Sequence, residues 1–147
     1  MESKRLALVS VGNALMDEQH RQLVEILERL LVLVNNTDDI GSIEHGQVEL
    51  YGRAIKHFTD EELLMEIIAF PWLDDHKTAH HQFAGRLASL MARFQRGDLD
   101  FARQSLEGLH SWLLVHIKHD DKRYAAGLHC TEPVQPLSIN HTDYAMP

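Results

Sequence analysis

Gln47–Ile68 reads QVELYGRAIKHFTDEELLMEII. An α-helix turns about 100° per residue, so residues three and four apart share a face. Alternating steps of three and four pick out Gln47, Leu50, Ala54, His57, Glu61, Leu64 and Ile68 as one stripe. Such a stripe is the seam of a helix packed in a bundle. It is mostly apolar, yet a histidine and a glutamate stand where leucines belong. Burying such groups without partners costs about 2–7 kcal/mol each. The stretch therefore predicts a helix, a bundle, and something inside the bundle that needs polar side chains.

Three more segments repeat the pattern. The first runs from about Asn13, a plausible N-cap, to Val34, with His20, Leu23, Val24, Leu27, Leu31 and Val34 on one stripe. A polar run from Asn35 to Asp39, ending in Gly41, reads as a loop. The second runs from about Ser42 to Phe70, where Pro71 stops it. The third starts near Asp74 or Asp75 and ends at Arg96, with Gly97 in the C′ position. Its stripe is His76, His80, Phe83, Leu87, Met91 and Phe94. The fourth spans Asp98 to Gly127, with Ala102, Leu106, Leu109, Leu113, His116 and Asp120 on its stripe. No segment shows sustained strand alternation. Short joins make sequential helices antiparallel. The expected fold is all-α: an up-down-up-down four-helix bundle over residues 1–127, with an N-terminal arm at 1–12. An extended or mobile C-terminal tail is expected at 128–147.

Composition narrows the function. The chain has 147 residues, 44% of them hydrophobic and 24% charged, which suits one globular domain. Fourteen basic and 22 acidic residues leave a net charge of −8, which argues against nucleic acid as the main partner. No apolar run approaches the length of a spanning helix, so no membrane partner is expected. Lys4 and Arg5 before Leu6–Val11 imitate a secretory signal only faintly, because Gly12 and Asn13 interrupt it. The expected compartment is the cytoplasm. A single cysteine, Cys130, excludes an internal disulfide and a multi-thiolate metal site. Histidine is abundant: 11 residues against 8 glycines.

Placed on the helices, the histidines divide. His57 and Glu61 are four apart, and so are His76 and His80, so each pair shares a helix face. One buried histidine is an ordinary core residue. Five, at His20, His57, His76, His80 and His116, with carboxylates beside them, describe a core site for two metal ions with shared carboxylate bridges. His45, His81, His110, His119, His129 and His141 read as bystanders. The fourth helix offers two carboxylates. Asp120 is four residues after His116, about 40° around a regular helix, and Asp121 is five after, about 140° around. Geometry favours Asp120. Asp121 would need a locally widened turn such as a π-bulge.

Four motifs, in order on four helices, resemble the hemerythrin family, specifically its single-domain bacterial members. They are D-E-Q-H at Asp17–His20, H-F-T-D-E-E-L-L-M at His57–Met65, H-K-T-A-H-H-Q-F at His76–Phe83, and W-L-L-V-H-I-K-H-D-D-K-R-Y at Trp112–Tyr124. The likeness covers about Val11 to Tyr124. The family's helix-four pattern is H-I-x-x-x-D, which implies Asp121 rather than Asp120. The resemblance further implies two iron ions with an oxo or hydroxo bridge from solvent. His76, His80 and His116 would hold one ion, His20 and His57 the other, with Glu61 and Asp121 bridging. The implied partner is O2, bound reversibly at the open position of the second ion for delivery, storage or sensing, and the chain would not be an enzyme. Two other uses of such a centre are a di-iron peroxidase or NO- or peroxide-handling enzyme, and an iron-binding sensory module with a protein partner that the sequence does not identify. An O2 site needs an apolar wall, and Leu23, Trp112, Leu113 and Ile117 lie within a turn of the ligands. Asp17, Gln19 and Tyr124 match motif positions and are candidates for hydrogen bonds to the imidazoles, with helix capping an equal use for Asp17.

Overall fold

The computed structural model describes residues 8, 10–36 and 39–129. Among them the helices are α1 (Ala14–Asn36), α2 (Ile40–Ile67), α3 (Leu73–Gln95), α4 (Leu99–His116) and α5 (Lys122–His129). A π-helical turn, Ile117–Asp121, joins α4 to α5. Helix α1 packs on α2 and α4, and α3 packs on the same two, which closes a four-helix bundle. No helix of the described residues is long and apolar enough to cross a membrane. The tail expected from Leu128 falls, from Cys130 onward, outside the described residues, as does most of the arm.

Caps set the helix starts. Asn13 Oδ1 accepts from the Met16 amide at 3.0 Å, as its position predicts. For α2 the cap is Asp39, not Ser42: its carboxylate accepts from the Ser42 amide at 3.1 Å and from the Ser42 hydroxyl at 2.6 Å. Gly41 therefore lies in the first turn of α2 rather than in a loop. Asp98 caps α4 by accepting from the Phe101 amide at 3.1 Å. Helix α3 begins at Leu73, with Trp72 at its cap position and no side-chain cap.

The ends also differ from the expectation: α1 runs on through Asn35 and Asn36, which were expected in the loop, and the fourth helix is interrupted after His116 by the π-helical turn. Helix α2 stops at Ile67, not Phe70. Ala69 takes a left-handed conformation (φ 50°), and the Phe70 amide donates back to the Met65 carbonyl at 2.9 Å. The turned chain buries Phe70 beside Trp72 and Tyr124. Gly97 has φ 88° and closes α3 as its position predicts.

The core forms along the predicted stripes with small shifts. Leu23, Leu27, Leu50, Ala54, Phe83, Leu87, Leu106 and Leu109 are buried together. At the stripe ends Leu30, Met65 and Leu90 are the buried residues, whereas the expected Leu31, Leu64 and Met91 are half-buried. In α1 and α3 the buried residues Leu23, Leu27, Leu30, Val34 and Phe83, Leu87, Leu90, Phe94 keep steps of four, three and four, which Leu31 and Met91 would break. In α2 the inward face drifts instead, so that Met65 follows Glu61 by four. Gly46 marks the closest approach of α1 and α2, because a Cβ there would meet Leu30 Cδ2 at 2.6 Å.

Candidate metal centre

Each helix of the bundle delivers part of one buried cluster. Helix α1 carries His20, α2 carries His57 and Glu61, α3 carries His76 and His80, α4 ends in His116, and the π-helical turn carries Asp121. All seven are buried, none more than 2% exposed. The i, i+4 spacing on α2 and α3 puts each pair on the inner face, as expected.

The seven side chains meet in two overlapping groups. Glu61, His76, His80, His116 and Asp121 can present one ligand atom each within 4.8 Å of one another. His20, His57, Glu61 and Asp121 can do the same. Glu61 and Asp121 belong to both. Every imidazole turns its Nε2 inward. Glu61 Oε1 lies 2.7 Å from His76 Nε2 and 3.0 Å from His80 Nε2. Glu61 Oε2 lies 3.3 Å from His57 Nε2 and 3.4 Å from His20 Nε2. Asp121 Oδ2 lies 3.0 Å from His20 Nε2, and Asp121 Oδ1 lies 3.0 Å from His76 Nε2 and 3.1 Å from His116 Nε2.

The π-helical turn decides between the two aspartates. A regular helix would aim Asp120 inward. The turn closes wider than an α-helical one and brings Asp121 round to the side of His116. Asp120 is thereby displaced onto the outer nitrogen of that ring: His116 Nδ1 lies 2.8 Å from Asp120 Oδ2.

The outer nitrogens of two other rings also have partners. Gln19 Oε1 lies 2.8 Å from His57 Nδ1, as its motif position suggests. Glu62 Oε1 lies 3.3 Å from His80 Nδ1. Sequence reasoning did not single out Glu62; its only sign there is the Glu61-Glu62 doublet, one of which must leave the inner face. Tyr124 is fully buried, and its hydroxyl donates to Glu61 Oε2 at 2.9 Å, so its contact is with a carboxylate rather than an imidazole. Asp17 neither caps α1 nor reaches an imidazole. It accepts from the Ser10 hydroxyl at 2.6 Å and the Val11 amide at 2.8 Å, holding the arm against α1.

Apolar and aromatic groups close the surroundings. Phe58 stacks on His80 with ring centroids 3.9 Å apart, and Trp112 stacks on His116 at 4.5 Å. Leu23, Leu113 and Ile117 are buried in the main core, and the half-buried Trp112 packs against it. Of the bystander histidines, His45, His81 and His119 are exposed. His110 is half-buried, 3.6 Å from Glu28 Oε1.

Electrostatics are extreme for a buried site. Burial by itself pushes the Glu61 carboxyl up, but the imidazoles of His20, His57, His76 and His80 outweigh it and hold it well below the ordinary range. Burial and the Glu61 charge push Asp121 up, and His116 and His20 outweigh both. Burial pulls His20 and His76 down, yet Asp121 and Glu61 outweigh it and raise His20 to about 9 and His76 to about 10. His116 is likewise raised to about 9, with Asp120 contributing. Burial first, then the charges of Glu61 and Asp121, push the Tyr124 phenol up, so it stays a proton donor.

The residues fit a metal. His20 Nε2 and both oxygens of Asp121 are buried without a hydrogen-bond partner, although they face one another across the cluster. Ions explain that arrangement, since a ligand atom aimed at a metal has no hydrogen bond to make. Imidazole with carboxylate suits first-row ions such as iron and zinc.

Comparison with known proteins agrees. A family model described as the hemerythrin HHE cation binding domain matches residues 11–127. A bacteriohemerythrin of Stenotrophomonas maltophilia is 34% identical over 119 residues, 80% of this chain and 75% of that protein. A bacteriohemerythrin of Pseudomonas paraeruginosa is 32% identical over 117 residues, 79% of this chain and 74% of that protein. A myohemerythrin of Sipunculus nudus is 28% identical over 114 residues, 78% of this chain and 83% of that protein. A crystal structure of wild-type hemerythrin superimposes with a TM-score of 0.77 at 22% identity, over 88% of this chain and 99% of that one, a likeness of fold. With a family match across most of its length and relatives above 30% identity, the chain belongs to the hemerythrin family.

Proposed function

We propose that the chain binds O2 reversibly at a non-haem di-iron centre, for O2 delivery, storage or sensing. The observation that carries the reading is the inequality of the two donor groups. They share Glu61 and Asp121, but one adds three imidazoles and the other two. A closed coordination shell is structural, and a position short of a protein ligand is where a small molecule binds. In this reading His76, His80 and His116 would hold one ion, and His20 and His57 the other, with Glu61 and Asp121 available to both and a solvent-derived oxo or hydroxo group completing the donor set. A ferrous pair held there would supply the two electrons that reversible O2 binding needs.

The protein's own groups do the rest. Glu61 and Asp121, shared by both donor groups, supply two negative charges that would compensate the cost of burying metal charge. Tyr124 holds Glu61 Oε2 by a hydrogen bond and keeps that carboxylate in one orientation. In this reading Leu23, Trp112, Leu113 and Ile117, which pack in the core beside the ligands, would form the wall that excludes water and a second oxidant from the site. A single cysteine suits a reducing compartment, in keeping with a cytoplasmic protein.

The test is optical. Metal-free chain is loaded with ferrous iron anaerobically, exposed to air, and returned to anaerobic buffer. The expected result is two irons per chain and an absorption spectrum that appears with O2 and disappears on its removal. A spectrum that never reverses, or rapid turnover of peroxide, overturns the carrier reading in favour of an enzyme.

A further inference from the structure

The seven inward groups leave two buried or half-buried carboxylates unexplained, Asp120 and Glu62. Both lie behind imidazoles of the same donor group. Asp120 Oδ2 is 2.8 Å from His116 Nδ1, and Glu62 Oε1 is 3.3 Å from His80 Nδ1. The other donor group is backed differently. His57 Nδ1 meets the neutral amide oxygen of Gln19 at 2.8 Å. The nearest carboxylate behind that amide, Asp60, accepts from Gln19 Nε2 at 2.8 Å and is itself paired with Lys56 at 3.0 Å. His20 Nδ1 has no hydrogen-bond partner among the described residues.

We infer that Asp120 and Glu62 are positioning residues that make the His76–His80–His116 position electron-rich, while the His20–His57 position is left without anionic backing. The inference rests on the di-metal reading above. With Nε2 committed to a metal, Nδ1 carries the ring proton and donates it to the carboxylate behind. That hydrogen bond fixes the tautomer and ring orientation and makes the imidazole a stronger donor. Two of the three rings on one side have this support, and neither ring on the other side has it. One ion is thereby held more tightly and kept more readily in its oxidised state. The π-helical turn produces both halves of the arrangement at once: the shift that brings Asp121 inward turns Asp120 onto His116.

The experiment uses the full chain and four variants: Asp120→Asn, Asp120→Ala, Glu62→Gln and Gln19→Leu. Metal-free protein is titrated anaerobically with Fe2+ against a chromophoric chelator, so that two binding steps are resolved. Asp120→Ala should weaken one step by roughly 10- to 100-fold, and Glu62→Gln, which keeps an acceptor oxygen, should weaken the same step by less, both sparing the other. Gln19→Leu should weaken the other step. Asp120→Asn keeps an acceptor oxygen and loses the charge, so it should retain more affinity than Asp120→Ala yet raise the reduction potential of one iron. The potential is read by a mediated redox titration of the iron-loaded protein. Far-UV circular dichroism and thermal melts of the metal-free variants monitor folding.

Weakening of both steps together, in proportion to lost thermal stability, overturns the inference in favour of a merely structural role. So does an unchanged potential in Asp120→Asn. If the Asp120 variants do not fold, Glu62→Gln, on the rim of the site, carries the same test. A parent chain that shows the selective effects but no reversible O2 spectrum overturns the proposed function and leaves this inference standing. A parent that never takes up two ions overturns both.

Discussion

The two ends of the bundle are built on the same four helices and by opposite chemistry. One end packs Leu30, Val34, Leu50, Leu87, Leu90, Phe94 and Leu106 into an apolar core. The other packs five histidines, Glu61 and Asp121 out of reach of bulk solvent. Burying each large apolar side chain is worth about 1.5–3 kcal/mol, whereas each buried charge must be compensated locally. The apolar end therefore holds the helices together, and the polar end draws on that stability. A metal-binding site can be carried by a bundle that does not need the metal to fold.

The sharpest way to break that comparison is at the shared carboxylates. Glu61→Ala should abolish uptake of two irons while largely sparing the helical circular dichroism, and His57→Ala should do the same. Metal analysis after ferrous loading checks both. A Glu61→Ala chain that unfolds would show that the polar end is also structural. One that still binds two irons would refute the ligand set.

The next effect is that of pH on the metal-free chain. His20, His76 and His116 have folded values of about 9, 10 and 9, above the ordinary 6.5. Their stabilisation is complete below pH 6.5 and is lost as pH rises through 9 to 10. Glu61 and Asp121 lie below the ordinary 4.5 and 3.8. Their stabilisation is present above those values and is lost as pH falls through the depressed folded ones. Thermal melts of metal-free protein should therefore peak between pH 4.5 and 6.5 and decline toward pH 10. Iron in place of the site protons should remove much of the alkaline decline, because metal binding releases those protons. A flat alkaline limb in the metal-free chain would mean that the imidazoles do not share protons with the carboxylates as the distances indicate.

At the apolar end the effect is smaller and purely one of stability. Leu87→Ala should cost about 2–5 kcal/mol in denaturant unfolding, with two irons still bound by the chain that remains folded. Loss of iron in step with stability would instead show the two ends to be coupled. The smallest effect lies at the turn after α2. Ala69 sits at φ 50°, a conformation that costs a residue with a Cβ about 1–2 kcal/mol. Ala69→Gly should raise the denaturant midpoint slightly without changing iron content, and a lower midpoint would show that the turn is not strained.

The helices were legible because their period is a local property. Steps of three and four place His57 beside Glu61 and His76 beside His80 whatever surrounds them. The caps were less legible. Ser42 and Asp39 are both good cap residues, and only the fold shows Asp39 accepting from Ser42. Leu31 and Met91 were expected inside, but alternating steps of four and three continue through Leu30 and Leu90, and in α2 helical drift puts Met65 inside in place of Leu64.

The sequence by itself determined the four amphipathic helices, their antiparallel order, and a set of histidines and carboxylates too polar to be core and too regular to be surface. The helices and the polar set follow from spacing along one helix at a time, and the antiparallel order from the short joins between them. Which aspartate faces the cluster was decided by tertiary structure, because geometry along a regular helix selects Asp120 and the π-helical turn selects Asp121. The same is true of the groups behind the imidazoles. Glu62 on α2 reaches His80 on α3, and Gln19 on α1 reaches His57 on α2. Such pairs are 18 and 38 residues apart in the chain, and only packing brings them within reach of a hydrogen bond.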